Sequence, residues 1–262
     1  LTARCGIGAS PVNTISEVTV DYADPAFPLS NAFDLHPKRV CKSTAGIYLL
    51  TIEAKLAIGC NSFFIFNTNA EGAFIEFEGY GIIEWLNGNE WFTGNEWYEV
   101  YSTSINGEMI WANNTASLVI TFPTLENTEH LKITLGNSTA GRIYFGILWA
   151  GTLIYSHNPS YGLTEGQVDY SIKKELSNGS YYYKKRDIVR TFSGSFYETD
   201  IDIADNFLLG ISRDYGQQSM PWLVTNLDNT RWAMFGHLDD LMQATYASYG
   251  YETLKFKLIE VL

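Results

Sequence analysis

In His130 to Leu135, HLKITL, the side chains of Leu131, Ile133 and Leu135 leave one side of an extended backbone, and those of His130, Lys132 and Thr134 leave the other. The same period of two returns in SLVITF, with Leu118, Ile120 and Phe122, and in TLKFKL, where Leu254, Phe256 and Leu258 alternate with Thr253, Lys255 and Lys257. A helix repeats every 3.6 residues and would scatter these apolar groups around its surface, so the pattern predicts half-buried strands. Continuous apolar runs, FFIF at 63–66 and IYFGILWA at 143–150, predict strands covered on both faces.

Turn signals separate these runs: Asn67-Thr68-Asn69, Asn87-Gly88, Asn106-Gly107, Asn113-Asn114, Asn178-Gly179 and Asp228-Asn229. Asn-Gly pairs tolerate the positive φ of tight hairpins. Short strands with turns every ten or so residues indicate a sandwich or barrel rather than βαβ units. Only HLDDLMQATYASYG at 237–250 and PLSNAFD at 28–34 leave room for a short helix. The composition agrees, because 15% of the residues are aromatic, with 17 Tyr and 15 Phe, and helix-forming runs are scarce.

A chain of 262 residues with 46% hydrophobic content can bury a sizeable core, as one large all-β domain or two ordinary ones. The stretch GTLIYSHNPSYGLTEGQ at 151–167 is rich in Gly, Ser, Asn and Pro and lacks alternation. It reads as a connection, which gives two β-sandwich or β-barrel domains, 1–155 and 156–262.

Charge and cysteine usage remove several function classes. A net charge of −12 argues against nucleic acid, whose phosphates demand a basic surface. The densest basic cluster, YYYKKRDIVR with Lys184, Lys185, Arg186 and Arg190, reads as a solvated strand edge or as an interface for acidic neighbours. Cys5, Cys41 and Cys60 form no C-x-x-C pair and have no His at zinc spacing; one disulfide with a thiol left over fits, and an odd count suits a reducing cytoplasm. No run approaches the roughly 18 apolar residues of a membrane span, and the opening LTARCGIGASPV lacks the layout of a secretory signal.

Catalytic constellations are sparse. FSGSF sets Gly194 between Ser193 and Ser195 instead of flanking a single serine, so no G-x-S-x-G elbow is present. His36, His130, His157 and His237 lie far apart and outside any catalytic motif. Asp200, Asp202 and Asp205 crowd together in ETDIDIADN without the loop order of an EF-hand, and alternation with Ile201 and Ile203 explains them more simply. Neither a metal nor a cofactor is expected.

The richest local feature is EWLNGNEWFTGNEWYEVYS, Glu84 to Ser102, in which Gly-Asn-Glu-Trp occurs twice. Glycoside hydrolysis needs two carboxylates flanking the scissile bond, normally from different strands of a cleft. Glu84, Glu90, Glu96 and Glu99 share one segment, which argues against catalysis. Non-catalytic contact fits better: on a continuous strand Trp91 and Trp97 face the same side about 20 Å apart, and across a hairpin they come closer. With Asn95 and Trp111 they suit a sugar-stacking platform, a protein contact, or a cross-strand pair that serves the fold alone.

Several stretches carry a resemblance. LSNAFDLHPKRVCKS, with Ser30, Asn31, Ala32, Phe33 and Asp34, resembles the early segment of discoidin-like, galactose-binding-type sandwiches, although RVCKS stands where those domains carry a Trp. LKITLGNSTAGRIYFGILWAG and the residues after it are similar to tailed-bacteriophage structural proteins; Gly141, Arg142 and Gly146 match a closing Gly-Arg-hydrophobic-aromatic-hydrophobic-Gly strand, and Tyr170, Ser171, Gly179 and Tyr181 to Tyr183 match a following strand pair. TRWAMFGHLDDL and YETLKFKLIEVL look like the closing strands of a tail-hub β-domain of the distal-tail-protein kind.

The resemblance implies a discoidin-like jelly roll followed by a tail-hub-like domain, in a virion protein made in the host bacterial cytoplasm and placed at the tail tip or baseplate. Its partners would be its own copies in a ring, the tail tube, hub and tape-measure proteins, and a host surface glycan. Lys184, Lys185, Arg186 and Arg190 are then the expected oligomer contact. Trp91, Trp97, Trp111 and Asn95 are the expected glycan or protein contact. The alternative is a carbohydrate-binding module; a glycosidase ranks below both.

Overall fold

Alternating strands are stable only when their apolar faces meet another layer. The computed structural model describes residues 5–7, 14–70, 72–78, 98–101, 116–121, 129–136, 141–152, 154–156, 163–177, 179–198, 209–223, 233–248 and 251–261. Within these, the strands are β1 (Cys5–Ile7), β2 (Ile15–Val20), β3 (Cys41–Lys42), β4 (Leu49–Leu56), β5 (Ser62–Thr68), β6 (Gly72–Glu78) and β7 (Tyr98–Tyr101). They continue with β8 (Ala116–Thr121), β9 (Glu129–Gly136), β10 (Tyr144–Phe145), β11 (Ile147–Gly151), β12 (Ile154–Ser156), β13 (Thr164–Asp169) and β14 (Ile172–Glu175). The last are β15 (Tyr181–Lys184), β16 (Ile188–Glu198), β17 (Met220–Leu223), β18 (Ala233–Leu238), β19 (Gln243–Ser248) and β20 (Tyr251–Glu260), and one α-helix, α1 (Leu209–Tyr215), precedes β17. The protein is mostly antiparallel sheet with little helix.

Two compact units divide the chain: Gly6–Tyr155 with Pro221–Met234, and Leu1–Cys5 with Ser156–Met220 and Phe235–Leu262. Residues 221–234 group with the first unit, where Leu223 of β17 pairs with Gly6 of β1.

In the first unit an antiparallel sheet of order β2-β4-β9-β6-β7 and a second of order β11-β5-β8 contribute to one core. Register decides which residues enter it. Leu50, Ile52 and Ala54 of β4 lie opposite Leu135, Ile133 and Leu131 of β9, and all six are buried. Their neighbours form outward pairs: Thr51 and Thr134 share a 3.2 Å hydrogen bond, and Lys132 approaches Glu53 at 3.9 Å. Each buried Leu, Ile or Phe contributes about 1.5–3 kcal/mol, whereas a half-exposed, solvent-screened ion pair contributes about 0–1 kcal/mol. The inward face therefore fixes the register.

The two apolar runs are strands β5 and β11, paired so that Leu148 faces Ile65 and Trp149 faces Phe64. Phe63 to Phe66 and Ile147 to Ala150 are all buried, on both faces of their strands. Leu29–Phe33 forms a 3-10 helix whose Ala32 enters the core. Asn31 ties it down by donating to the Val40 carbonyl at 3.0 Å.

The GRIYFG segment has a structural use at each end. Arg142 pairs with Asp24 at 3.4 Å, and the Gly141 carbonyl accepts the Gly46 amide at 2.9 Å. Asn69 donates to the Arg142 carbonyl and accepts the Tyr144 amide, at 2.9 and 2.8 Å. At Gly146 a Cβ would collide with the Pro37 carbonyl, which Asn67 holds in place by donating a 2.6 Å hydrogen bond. Backbone cannot swing aside as a side-chain tip can, so the position requires glycine.

Cys41 and Cys60 are buried free thiols. Burial pushes the Cys41 thiol up to about 11 and raises Cys60 as well. Both are therefore poor nucleophiles at neutral pH.

The second unit centres on β20, which pairs with β16 along one edge and with β19 and then β18 along the other. Leu254, Phe256 and Leu258 are buried and Lys255 and Lys257 are exposed, as TLKFKL predicts. Phe196 and Phe256 stack at 4.7 Å, and Gly194 leaves room for that ring: its Cβ would lie 3.3 Å from Phe256 and 3.1 Å from Leu163. The segment 237–250 corrects the expectation of a helix. Leu238 ends β18, and Gln243–Ser248 is β19, laid against β20. Pairing with β20 outweighed a pattern that fits either period, since Leu241 is exposed while Leu238 and Met242 are buried.

Candidate interaction arm

The hairpin that carries the basic cluster begins inside the second unit's sheet and leaves it. β13 pairs with β16 from Thr164 opposite Ser193 to Asp169 opposite Ile188. The same two runs of chain pair again as β14 and β15, with Ile172 opposite Lys184 and Glu175 opposite Tyr181. Between the two ladders, Tyr170 and Ser171 on one strand face Lys185, Arg186 and Asp187 on the other. One extra residue on one side is the geometry of a bulge, which bends the pair and re-aims the strands beyond it.

Ser171 closes that mismatch. Its hydroxyl accepts the Arg186 amide at 2.9 Å, and its own amide donates to the Asp169 carboxylate at 2.8 Å. The Ser171 hydroxyl and amide, with Lys185 at longer range, hold the Asp169 carboxyl below the ordinary 3.8. At the tip the Gly179 amide donates to the Leu176 carbonyl at 2.9 Å, with Gly179 at φ +77° in the left-handed conformation that glycine adopts freely.

Beyond Ser171, β14 and β15 form a two-stranded sheet of their own, and every residue in them is exposed. Tyr181, Tyr182 and Tyr183 are 58%, 50% and 57% exposed, and Ile172 and Leu176 are exposed beside them. By register, Lys173, Glu175, Tyr181 and Tyr183 share one face, and Ile172, Lys174, Tyr182 and Lys184 share the other. The Lys173 ammonium sits 4.6 Å over the Tyr181 ring. Aromatic and cationic groups thus occupy both faces, and the aliphatic Ile172 lies on the second.

Of the residues singled out from the sequence, Lys184, Lys185 and Arg186 lie exposed on this arm or at its root. Arg190 parts from them. It lies on the inward face of β16 with Phe192, and its guanidinium grips Glu260 of β20 through Nε–Oε2 at 3.0 Å and Nη2–Oε1 at 2.6 Å, both side chains only 6% exposed. Its charge is neutralised inside the unit, so of the four basic residues only Lys184, Lys185 and Arg186 remain exposed. Trp91, Asn95, Trp97 and Trp111 lie outside the described residues, as do Asp200, Asp202 and Asp205. Among the described residues no group of three or more His, Cys, Asp and Glu is placed to hold a metal ion.

The exposed Tyr181, Ile172 and Leu176 complete the arm, and the basic run alone did not single them out. Three consecutive tyrosines offered a signal: a run without alternation cannot turn all its rings to one core. No protein-family model matches the chain, and no curated protein matches it significantly.

Proposed function

We propose that the chain is a structural component of a bacteriophage tail tip or baseplate, forming an oligomeric ring that joins the tail tube to host-recognition proteins. In this reading the first unit is a discoidin-like jelly roll and the second a tail-hub-like β-domain. The observation that carries it is the arm, an element with both faces exposed and rich in Tyr and Lys. Tyrosines exposed together suit the centre of a protein contact more than a solvated surface. The order of resembling segments, from LSNAFD through GRIYFG to FKLIEVL, supplies the tail context. Negative-stain micrographs of the purified full chain test the reading: closed rings are expected, and monomers at every concentration would refute it.

The Gly-Asn-Glu-Trp repeat favours a second reading, a carbohydrate-binding module using Trp91, Trp97, Trp111 and Asn95 on host surface glycans. A glycan array with the wild type and Trp91→Ala checks it. Absence of binding, or binding that survives the substitution unchanged, counts against it.

A further inference from the structure

We infer that the arm formed by residues 170–186 docks on a second copy of this chain, its tyrosines supplying the buried contact and its cations selecting the acidic surface of the neighbour. The inference rests on the self-association part of the proposed function and on nothing about tails.

Three observations lead to it. A two-stranded hairpin that stands alone is marginal in water; among the described residues no third strand pairs with this one, and Tyr182 and Ile172 on one face and Tyr181 and Tyr183 on the other all meet solvent. Such a surface gains from a partner. The root is firmly built, through Ser171 bonded to both Asp169 and Arg186, so the arm is held in a set direction. Pre-organisation of this kind lowers the ordering cost of binding.

Charge names the partner. Residues 170–186 carry five of the chain's 17 Lys and Arg and one of its 29 Asp and Glu, so the arm holds +4 and the rest of the chain −16, which together make the net −12. A second copy of the chain therefore presents the acidic surface that the cations suit. Joining an arm to a different surface of the next copy is a heterologous contact, which closes into rings or runs on as filaments.

The full chain tests this by sedimentation velocity and micrographs, alongside Tyr181→Ser/Tyr182→Ser/Tyr183→Ser and Lys185→Glu/Arg186→Glu. The side chains removed are exposed, so unfolding by circular dichroism should not change; if the triple variant fails to fold, the charge variant carries the test. The wild type should self-associate, each variant should weaken association by about tenfold or more, and raising salt from about 0.1 M to about 1 M should weaken the wild type as the screening length falls from about 10 to about 3 Å. Wild type and variants associating equally would overturn the arm and leave the ring reading standing. Variants that dissociate while the wild type forms open chains or dimers would uphold the arm and sink the ring. A wild type monomeric at every concentration and salt would overturn both.

Discussion

Strands β13 and β16 and strands β14 and β15 are built from the same two runs of chain, one pair continuing the other across a bulge, yet most of β16 is buried where β15 is exposed. On β16, Phe192 and Phe196 are buried and Arg190 is locked to Glu260. A few residues earlier, Tyr181 to Lys184 are exposed without exception. Neither hydrophobicity nor charge separates the two stretches, since each holds aromatic rings and cations. The separating factor is a third strand. β20 pairs with β16 from Glu252 to Ile259, whereas among the described residues β14 and β15 pair only with each other. A ring or a cation is buried or left exposed according to whether the sheet continues beside it.

The comparison breaks most visibly by truncation. Phe192→Ala should destabilise the protein by about 3–5 kcal/mol in denaturant unfolding, through lost burial and the cavity left behind. Tyr182→Ala should stay within about 0.5 kcal/mol, because an exposed ring has little burial to lose. Equal losses at the two sites would mean the arm is packed in the free protein.

A charge pair sharpens the same contrast at slightly lower cost. Glu260→Gln leaves the buried Arg190 guanidinium without its counter-charge and should cost about 3 kcal/mol by thermal or chemical unfolding. Lys184→Gln, on the exposed strand β15, should leave stability unchanged within about 0.5 kcal/mol. Similar losses would contradict the separation of Arg190 from its neighbours.

Local pattern made the sheets legible and long-range pairing hid the rest. Leu131, Ile133 and Leu135, and Leu254, Phe256 and Leu258, announce their strands because one face of each is buried and the other is not. Their register against other strands left no mark in the local sequence. Residues 237–250 illustrate the ambiguity: only the free edge of β20 turns Gln243–Ser248 into a strand. At the candidate site, Lys184 to Arg186 were readable because adjacent like charges resist burial. Arg190 was not, because the carboxylate that neutralises it is Glu260, on another strand and 70 residues away. The short helix α1, with Gly210 inside it, carried no helical signature strong enough to read.

A smaller effect tests whether the arm opens apart from the sheet. Gly179→Ala forces an L side chain to φ +77° and should cost about 1–2 kcal/mol locally. Because the arm has little burial holding it to the fold, the loss should appear as faster amide exchange at 172–184 and not as a lower global unfolding midpoint. A global loss of the full amount would show that arm and sheet unfold as one.

The smallest effect is at the root and depends on acid. Asp169 is fully exposed, so its value lies in the bonds it accepts and not in burial. The Ser171 hydroxyl and amide favour its ionised form and lower its folded pKa below 3.8, the value expected once those bonds are gone. A depressed carboxyl contributes stability that is present above its unfolded value and is lost as pH falls through the folded one. From neutral pH down to 3.8 the root should therefore stay intact, and only below that should the Ser171 amide resonance move. Ser171→Ala removes the largest cause of the shift and should raise the Asp169 midpoint toward 3.8 in a carboxyl NMR titration, and Lys185→Gln should raise it by less. A wild-type midpoint at or above 3.8 would mean that Ser171 does not clamp the bulge, and the arm would then leave the sheet in no fixed direction.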